Sequence, residues 1–321
     1  MWKTIPGRLP LERRLPMHTH SDSRRPQDSR HTAQTTPRPA RRRRRRRGIP
    51  LLPLALLLLA VGGVLSLHGL HSRPASEADP PAPAASSQGN TADRGELLTQ
   101  LQSLAREEPK AAEILSHLED YPQELLELLL RNPETVDFVK DYPRDRDSAP
   151  ADQVDEAAQG EYPLLLQWDP RWGYAAYGDG LMALNGCGPT ALSMVICGLT
   201  GEKSATPYAV AQYAQEMGYY VDGVGTSWEL MSAGCQHFGL SARELPLSQS
   251  VMENALKAGE PIICSVGPGD FTTSGHFIVL YGIKDGQFQV LDPNRRSTSA
   301  RLWDYDTLAG QITNLWAFSL A

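Results

Sequence analysis

Cysteine is scarce in this chain, with only Cys187, Cys197, Cys235 and Cys264 among 321 residues. No two of them form a CxxC pair, so the usual spacing of a structural zinc site is absent. Four cysteines are also too few for a fold that depends on a disulfide framework. One disulfide could form if the domain lies outside the cell, but the spacing does not select its pair.

Cofactor motifs are absent as well. The sequence contains no GxxxxGK[ST] phosphate loop, whose backbone N–H groups would cradle a nucleotide. We therefore expect a function that needs neither a cofactor nor a metal ion.

The net charge of -6 conceals a strong asymmetry. Residues 1–48 contain 15 Lys and Arg against 3 Asp and Glu, a balance of +12, so the rest of the chain carries -18. An acidic surface repels phosphate backbones. We expect no nucleic-acid partner for the larger part of the chain.

The basic N-terminal stretch precedes a long apolar run. Residues 1–47 lack apolar periodicity and end in seven arginines, Arg41 to Arg47, which predicts a disordered basic tail. Residues 48–70 (GIPLLPLALLLLAVGGVLSLHGL) carry no charged residue and are long enough to cross a bilayer as a helix. Arginines directly before a span keep the N-terminus cytoplasmic. The sequence therefore predicts a single-pass anchor in the plasma membrane, with the following domains outside.

Two alternatives concern this same region. The apolar run could be a cleaved signal peptide, although its length, the 47 preceding residues and the absence of a small-x-small site in SLHGLHS favour an uncleaved anchor. The arginine run could bind nucleic acid, but its position directly before the span favours a role in topology.

The remaining chain divides by composition into four parts. Residues 71–92 are rich in Pro, Ala and Ser and predict an extended spacer. Residues 93–142 have leucines at helical spacing and predict short helices that begin near Pro109, Pro122 and Pro133. Their apolar stripes predict a core or a surface for protein docking. Residues 143–160 are polar and predict a second linker, and residues 161–321 predict one α+β domain.

Cys187 has the most distinctive setting of the four cysteines. It lies in NGCGPTALSMV, where Pro189 suits a first helical turn and the following apolar residues mark one helix face. Unpaired N–H groups and the helix dipole favour a thiolate at such a position. We expect the flanking glycines to leave room for a substrate backbone. Cys197 and Cys264 fit the core, and Cys235 has no distinguishing context.

A cysteine nucleophile needs a base, and the domain has two histidines. His237 lies near a helix end and fits a structural role, whereas His276 opens a strong strand that a turn connects to a second strand ending at Asp292. A two-residue turn at Asp285 and Gly286 would place His276 and Asp292 on opposite faces. A three-residue loop would place them on one face. We predict the three-residue loop, because Asp292 could then orient the imidazole.

Acyl transfer also needs donors for the developing oxyanion. The backbone N–H of Cys187 is one candidate, and the side-chain amide of Gln167, which ends an apolar run in LLLQWDPRWG, is the second. The alternative for Gln167 is a structural side chain that bonds to backbone. We expect the aromatic loops 172–177 and 219–228 to wall the cleft.

Four motifs in order, QWDPRWG, NGCGPTALSMV, GHFIVLYG and VLDPN, resemble the C39-like cysteine peptidases, relatives of bacteriocin leader peptidases in the papain-like superfamily. The resemblance covers roughly residues 162–320. It implies a papain-like α+β fold in which the Cys-bearing helix packs on an antiparallel sheet. It implies that Cys187 is the nucleophile, His276 the base, Asp292 the orienting residue and Gln167 the oxyanion donor.

The sequence departs from this pattern in two ways. Gln167 precedes Cys187 by 20 positions, whereas many papain-like enzymes have only a few between them. The chain also lacks the phosphate loop of an exporter, so leader cleavage coupled to export is not supported.

Three hypotheses for function follow. The first is a membrane-anchored thiol hydrolase on the cell surface of a bacterial-type cell, most simply a peptidase with a peptide or protein substrate. The second is an acyl or peptidyl transferase that uses the same triad with an amine acceptor. The third is a non-catalytic cell-envelope binding module that docks through residues 93–142.

Overall fold

The structure is a computed structural model and describes residues 94–321. The predictions for the basic tail, the apolar span 48–70 and the spacer 71–92 lie outside these residues. Within residues 94–321, none of the helices combines the length and the apolar character that crossing a membrane requires.

Residues 94–145 form a helical segment, and we use this name for it below. Its helices are α1 (Arg94–Glu107), α2 (Pro109–Leu115), α3 (Gln123–Arg131) and α4 (Val136–Asp145). Helix α2 begins at Pro109, Pro122 caps α3, and a 3-10 turn begins at Pro133, so the prediction of helix starts at these prolines is confirmed. Helix α4 continues through Pro143 to Asp145, beyond the predicted boundary at residue 142.

The apolar face of the helical segment is buried against the rest of the chain. Leu101, Leu125 and Leu129 have no exposed surface and share one cluster with Leu166 and Trp168 from outside the segment. Burial of an aliphatic side chain stabilises a fold by roughly 1.5–3 kcal/mol. In this structure the leucine stripes therefore form a core, the first of the two predictions for them.

Residues 146–160, which make up most of the predicted linker 143–160, pack on the following domain. The backbone N–H groups of Ala151, Val154 and Gly160 donate to carbonyls at Arg171, Lys203 and Gly198, each at 2.8 Å. Val154 is fully buried. Isolated apolar residues in a polar stretch carry no periodic signal, which is why composition alone indicated a free linker.

Residues 161–321 form the predicted α+β domain around a six-stranded antiparallel sheet. The sheet order is β5-β10-β6-β7-β8-β9. Its strands are β5 (Leu240–Glu244), β6 (Ile262–Val266), β7 (His276–Lys284), β8 (Gln287–Leu291), β9 (Leu302–Trp303) and β10 (Ile312–Leu320). Two small hairpins precede it, formed by β1 (Ala176–Tyr177) with β2 (Gly180–Leu181) and β3 (Tyr220–Val221) with β4 (Gly225–Thr226).

Seven α-helices accompany the sheet within residues 161–321. They are α5 (Met182–Asn185), α6 (Cys187–Thr200), α7 (Pro207–Glu216), α8 (Glu229–Ser232), α9 (Gln249–Lys257), α10 (Arg296–Ser299) and α11 (Tyr305–Ala309). Phe277 and Val279 of β7 pack in one cluster with α6, while Ile278 and Leu280 pack in another with α9. This alternation follows the two-residue period of a strand. The sheet therefore separates two cores, and α6 lies against one of them.

The loop between β7 and β8 differs from the prediction. Asp285 and Gly286 form a two-residue loop with φ of 54° and 77°, and Lys284 pairs with Gln287. Two positive φ values are typical of the Asp-Gly turns that match the twist of a hairpin. The predicted three-residue loop is therefore wrong.

A bulge in β7 places His276 and Asp292 on the same face of the hairpin, which the two-residue loop alone would not do. The register shifts between Leu280 and Gly282, so Tyr281 is one extra residue in the strand. A bulge of this kind offsets all pairs beyond it by one position. Asp292, directly after β8, consequently lies on the same face as His276. The predicted shared face is confirmed, and its cause is the bulge.

Candidate active site

Cys187 is the first residue of α6, the position expected from the motif. Its side chain is only 6% exposed. The helix is long, with 14 residues, and ends where Gly201 adopts φ of 74° and donates its N–H to the Cys197 carbonyl. The first turn of α6 thus presents the Cys187 thiol at the positive end of the helix dipole.

The glycines beside Cys187 have a packing role. A Cβ on Gly188 would lie 2.8 Å from the Thr226 side chain, and a Cβ on Gly186 would lie 2.5 Å from the Met182 carbonyl. The space beside each of these glycines is therefore filled by other residues of the protein. The expectation that both glycines make room for substrate was therefore wrong, because they let α6 approach its neighbours.

His276 lies between Asp292 and Cys187. It is the first residue of β7, is 5% exposed, and its Nε2 lies 2.7 Å from Asp292 Oδ1. The Cys187 side chain also interacts with the imidazole and raises its pKa, which places the thiol beside the ring. Since Asp292 engages Nε2, Nδ1 is the nitrogen left for the thiol. The structure therefore brings these three predicted residues together.

The electrostatics of His276 follow from these two contacts. Burial alone lowers the pKa of an imidazole, since it disfavours the charged form. The Asp292 carboxylate and its hydrogen bond act in the opposite direction, as does Cys187, and together they raise the pKa of His276 from 6.5 to about 10. The site consequently favours a protonated imidazole at neutral pH.

Asp292 is fully buried and held from several sides. Its Oδ1 accepts the Asn294 backbone N–H at 2.7 Å in addition to His276, and its Oδ2 accepts the Thr298 hydroxyl. Its own N–H donates to Ser299 Oγ at 2.9 Å. A carboxylate with this many donors has one orientation available. Sequence reasoning missed these supports, and the hydroxyl residues shortly after VLDPN were the only signal for them.

Gln167 connects α5, the short helix before α6, to the loop that follows Asp292. Its Nε2 donates to the carbonyls of Ala183 at 2.8 Å and Leu184 at 3.3 Å, and its backbone N–H donates to Pro293 at 2.8 Å. Its Oε1 is buried without a hydrogen-bond partner. The amide therefore bonds to backbone just before α6, as the structural alternative described.

The other three cysteines are buried, and burial makes them unreactive. Cys197, Cys235 and Cys264 are free and have no exposed surface. Burial raises the pKa of Cys197 and Cys235 to about 11 and that of Cys264 further still. A thiol that stays protonated is a poor nucleophile. His237, for its part, stacks on Tyr213 with ring centroids 4.1 Å apart.

The expected aromatic walls are only partly present. Trp172 and Tyr177 are 1% exposed and belong to the core, so the first of the two loops does not supply open aromatic faces. Tyr177 bonds through its hydroxyl to Thr226 Oγ1 at 2.8 Å. Tyr219 and Tyr220, in the second loop, are half-buried. Across residues 94–321, no cluster of three His, Cys, Asp or Glu side chains could hold a metal ion.

Comparisons with known proteins identify the family of the domain that contains this site. The sequence model of the Peptidase_C39 like family matches residues 160–318. No curated protein matches the sequence.

Solved structures of peptidase domains are also similar to this chain. The peptidase domain of Streptococcus ComA, a bi-functional ABC transporter of a quorum sensing pathway, is 19% identical with a TM-score of 0.33, covering 50% of this chain and 98% of its own. A double glycine motif protease from an AMS/PCAT transporter, in complex with its leader peptide, is 18% identical with a TM-score of 0.31, covering 53% and 98%.

A putative C39-like peptidase from Bacillus anthracis is 16% identical with a TM-score of 0.29, covering 53% of this chain and 99% of its own. Identities and TM-scores this low add no weight of their own, so the assignment rests on the family match. Residues 160–318 of this chain are a cysteine peptidase domain of the Peptidase_C39 like family.

Proposed function

We propose that this protein is a membrane-anchored cysteine peptidase that acts outside the cytoplasmic membrane, with Cys187 as nucleophile, His276 as base and Asp292 as orienting residue. The observation that carries the proposal is the arrangement of Cys187, His276 and Asp292 around one imidazole, with Nε2 and Oδ1 2.7 Å apart. The family match over residues 160–318 supports peptide-bond chemistry at this arrangement.

In the proposed reaction, the pair of Cys187 and His276 holds its proton on His276 Nδ1, and the Cys187 thiolate attacks the carbonyl carbon of the scissile bond. The carbonyl oxygen becomes an oxyanion. His276 then donates the proton to the leaving amine, and an acyl-enzyme forms on Sγ. Water, deprotonated by His276, hydrolyses the thioester and restores the thiolate with the protonated imidazole. Asp292 stabilises the imidazolium that each half-reaction requires.

Gln167 would complete the oxyanion hole together with the Cys187 N–H. Its Nε2 makes a short bond to Ala183 and a longer one of 3.3 Å to Leu184. We infer that the longer bond is the one exchanged for the oxyanion, because it loses least on breaking. A Gln167→Ala variant should then lower kcat about 10²-fold and leave KM nearly unchanged.

The test of the triad is labelling of the full chain with iodoacetamide, followed by peptide mapping. We expect alkylation at Cys187, at a rate that falls in His276→Ala, and protection of Cys197, Cys235 and Cys264, which have no exposed surface. The matched control is His237→Ala, which removes the other histidine of the domain. Equal rates in both variants, or an unreactive Cys187 in the folded chain, would contradict the proposal and favour the binding module.

Hydrolase and transferase differ only in the acceptor. Peptide-library profiling of the full chain, with and without added amine nucleophiles, separates them. Products cleaved by water at all amine concentrations support the peptidase. A product that appears only with an amine would identify the transferase instead.

The proposed membrane anchor rests on sequence alone. Residues 48–70 are free of charge and follow seven arginines, which together favour a span with the N-terminus inside. The peptidase domain would then face the cell exterior, and its substrate would be an extracytoplasmic peptide or protein.

A further inference from the structure

The helical segment touches the loop that follows Asp292. Asn132, at the end of α3, is 2% exposed, and its Nδ2 donates to the Asn294 carbonyl at 2.7 Å and to Asn294 Oδ1 at 3.3 Å. The N–H of this same Asn294 donates to Asp292 Oδ1, the oxygen that His276 contacts. A single residue therefore connects the helical segment to the carboxylate of the triad.

Glu134 makes a second connection, to α10. Its two carboxylate oxygens accept the N–H groups of Arg296 at 2.8 Å and Ser297 at 3.0 Å, which are the first two of α10. The same short helix supplies Thr298 and Ser299, whose hydroxyls hold Asp292. A helix of four residues cannot stabilise itself in water. Glu134 provides an external cap for it.

Trp168, the residue after Gln167, also contacts the loop that follows Asp292. Its indole N–H donates to the Asn294 carbonyl at 2.7 Å, and the Arg296 guanidinium lies 4.5 Å from its ring centroid. Trp168 is buried in the cluster that the helical segment forms. Arg295 donates to the carbonyl of Arg131, the last residue of α3, at 2.7 Å. The loop after Asp292 is therefore in contact with both the helical segment and Trp168.

We propose that the helical segment is a built-in positioning element of the active site, in which Asn132 and Glu134 hold the 293–299 loop and thereby aim Asp292 at His276. This inference rests on the proposed function. It gives the segment a role within its own chain, because its apolar face is buried and its polar end contacts the triad loop. Neither residue touches a reacting atom, so both are positioning residues.

The test uses the full chain with histidine-selective isotope labelling and follows the His276 ring by NMR across pH. In Glu134→Ala and Asn132→Ala, we expect the pKa of His276 to fall by about one unit or more, since a displaced carboxylate stabilises the imidazolium less. Glu134→Gln retains one acceptor oxygen, so the pKa of His276 in this variant should lie between those of the wild type and Glu134→Ala. The matched control is Glu124→Ala, an exposed carboxylate of α3, which should leave the titration unchanged.

Kinetics give an independent readout. We expect kcat to fall about 10²-fold in Glu134→Ala with KM nearly unchanged, since small misplacements of catalytic groups have effects of this size. A thermal unfolding curve close to that of the control shows that the variant is folded. Should Asn132→Ala unfold, Glu134→Gln and Glu134→Ala still decide the question.

An unchanged His276 titration in the folded Glu134 variants, equal to that of Glu124→Ala, would overturn the positioning role. Failure of the proposed function looks different: Cys187 would be unreactive in the wild-type chain, while the NMR titration would still report whether the helical segment controls His276.

Discussion

At the scale of single residues, His276 carries most of the chemistry. It is buried, yet Asp292 makes its charged form favourable, and the Cys187 thiol lies on its other side. In a pair of Cys187 thiolate and His276 imidazolium, the positive ring would be stabilised by the thiolate on one side and by the Asp292 carboxylate on the other. The effect of the Asp292 charge on this pair can be measured.

Replacing Asp292 by Asn keeps the size and removes the charge. We expect the rate of Cys187 alkylation and kcat/KM to fall about 10²-fold or more, because the amide cannot stabilise the imidazolium. The alkaline limb of the pH–rate profile, expected near pH 10 in the wild type, should also move to lower pH. The measurement is kcat/KM between pH 5 and 11, with the rate of Cys187 alkylation measured separately at neutral pH. A variant with an unchanged alkaline limb would show that Asp292 does not set the charge of His276.

The same shift predicts how stability depends on pH. The pKa of His276 is about 10 in the folded chain against an ordinary value of 6.5. The folded state therefore binds this proton more tightly, so the stabilisation is complete below pH 6.5 and is lost as pH rises through about 10. Urea unfolding of the wild type should show this decline. In His276→Ala, the free energy of unfolding should decline less over this pH range. A decline of equal size in that variant would show that other groups cause the effect.

At the scale of elements, the contact between the helical segment and the peptidase domain has an aromatic centre. The ring of Phe138 in α4 stacks on Tyr174 with centroids 4.2 Å apart and planes within 9°. The Tyr174 hydroxyl donates to the Phe138 carbonyl at 2.8 Å. A Cβ on Gly173 would lie 2.7 Å from the Phe138 ring, so the ring leaves no free space there.

Removing this ring in Phe138→Ala should lower the free energy of unfolding by about 3–5 kcal/mol, since a buried aromatic is lost and a cavity remains. Urea denaturation monitored by circular dichroism measures the change. Leu247→Ala, at a residue 41% exposed, is the control and should change stability little. A loss of under 1 kcal/mol for Phe138→Ala would mean that α4 contributes little to holding the segment in place.

The β7–β8 hairpin shows why an element can be predicted and its register cannot. The Asp-Gly pair is a strong signal for a two-residue loop, and the structure has that loop. Nothing in the local sequence marks Tyr281 as an extra residue. At the bulge, the Tyr281 hydroxyl accepts a hydrogen bond from Gln289 of β8 at 3.2 Å, and the Tyr281 ring lies 6.1 Å from that of Tyr162, a residue outside the sheet.

At the scale of the whole molecule, the proposed anchor decides where the peptidase domain acts. A full chain that residues 48–70 hold in the bilayer should stay in the membrane pellet after alkaline carbonate extraction, because about 20 apolar residues suffice to span it. A chain lacking residues 48–70 should appear in the supernatant. Protease added outside intact cells should release a fragment containing residues 94–321.

If residues 48–70 are instead part of a cleaved signal peptide, the carbonate extraction should have the opposite result. N-terminal sequencing of the mature protein would then begin after residue 70, and carbonate would extract it. Either of these results would contradict the anchor while leaving the peptidase site unaffected.

Sequence alone determined the elements and the residues of the candidate triad. Helical spacing, proline positions and the glycine-flanked Cys187 are local signals, and a helix start or a strand end follows from the residues next to it. The α+β class followed from the same kind of reasoning, whereas the shared face of His276 and Asp292 was predicted from a loop that the structure does not have.

Tertiary structure decided which groups hold that triad in place. Asn132 and Asn294 are 162 positions apart, and so are Glu134 and Arg296. No periodic pattern connects residues at such distances, because their contact depends on how whole elements pack. The packing of residues 146–160, the role of Gly188 and the bulge at Tyr281 have the same origin: each depends on a neighbour that is distant in sequence and is brought close only when the chain folds.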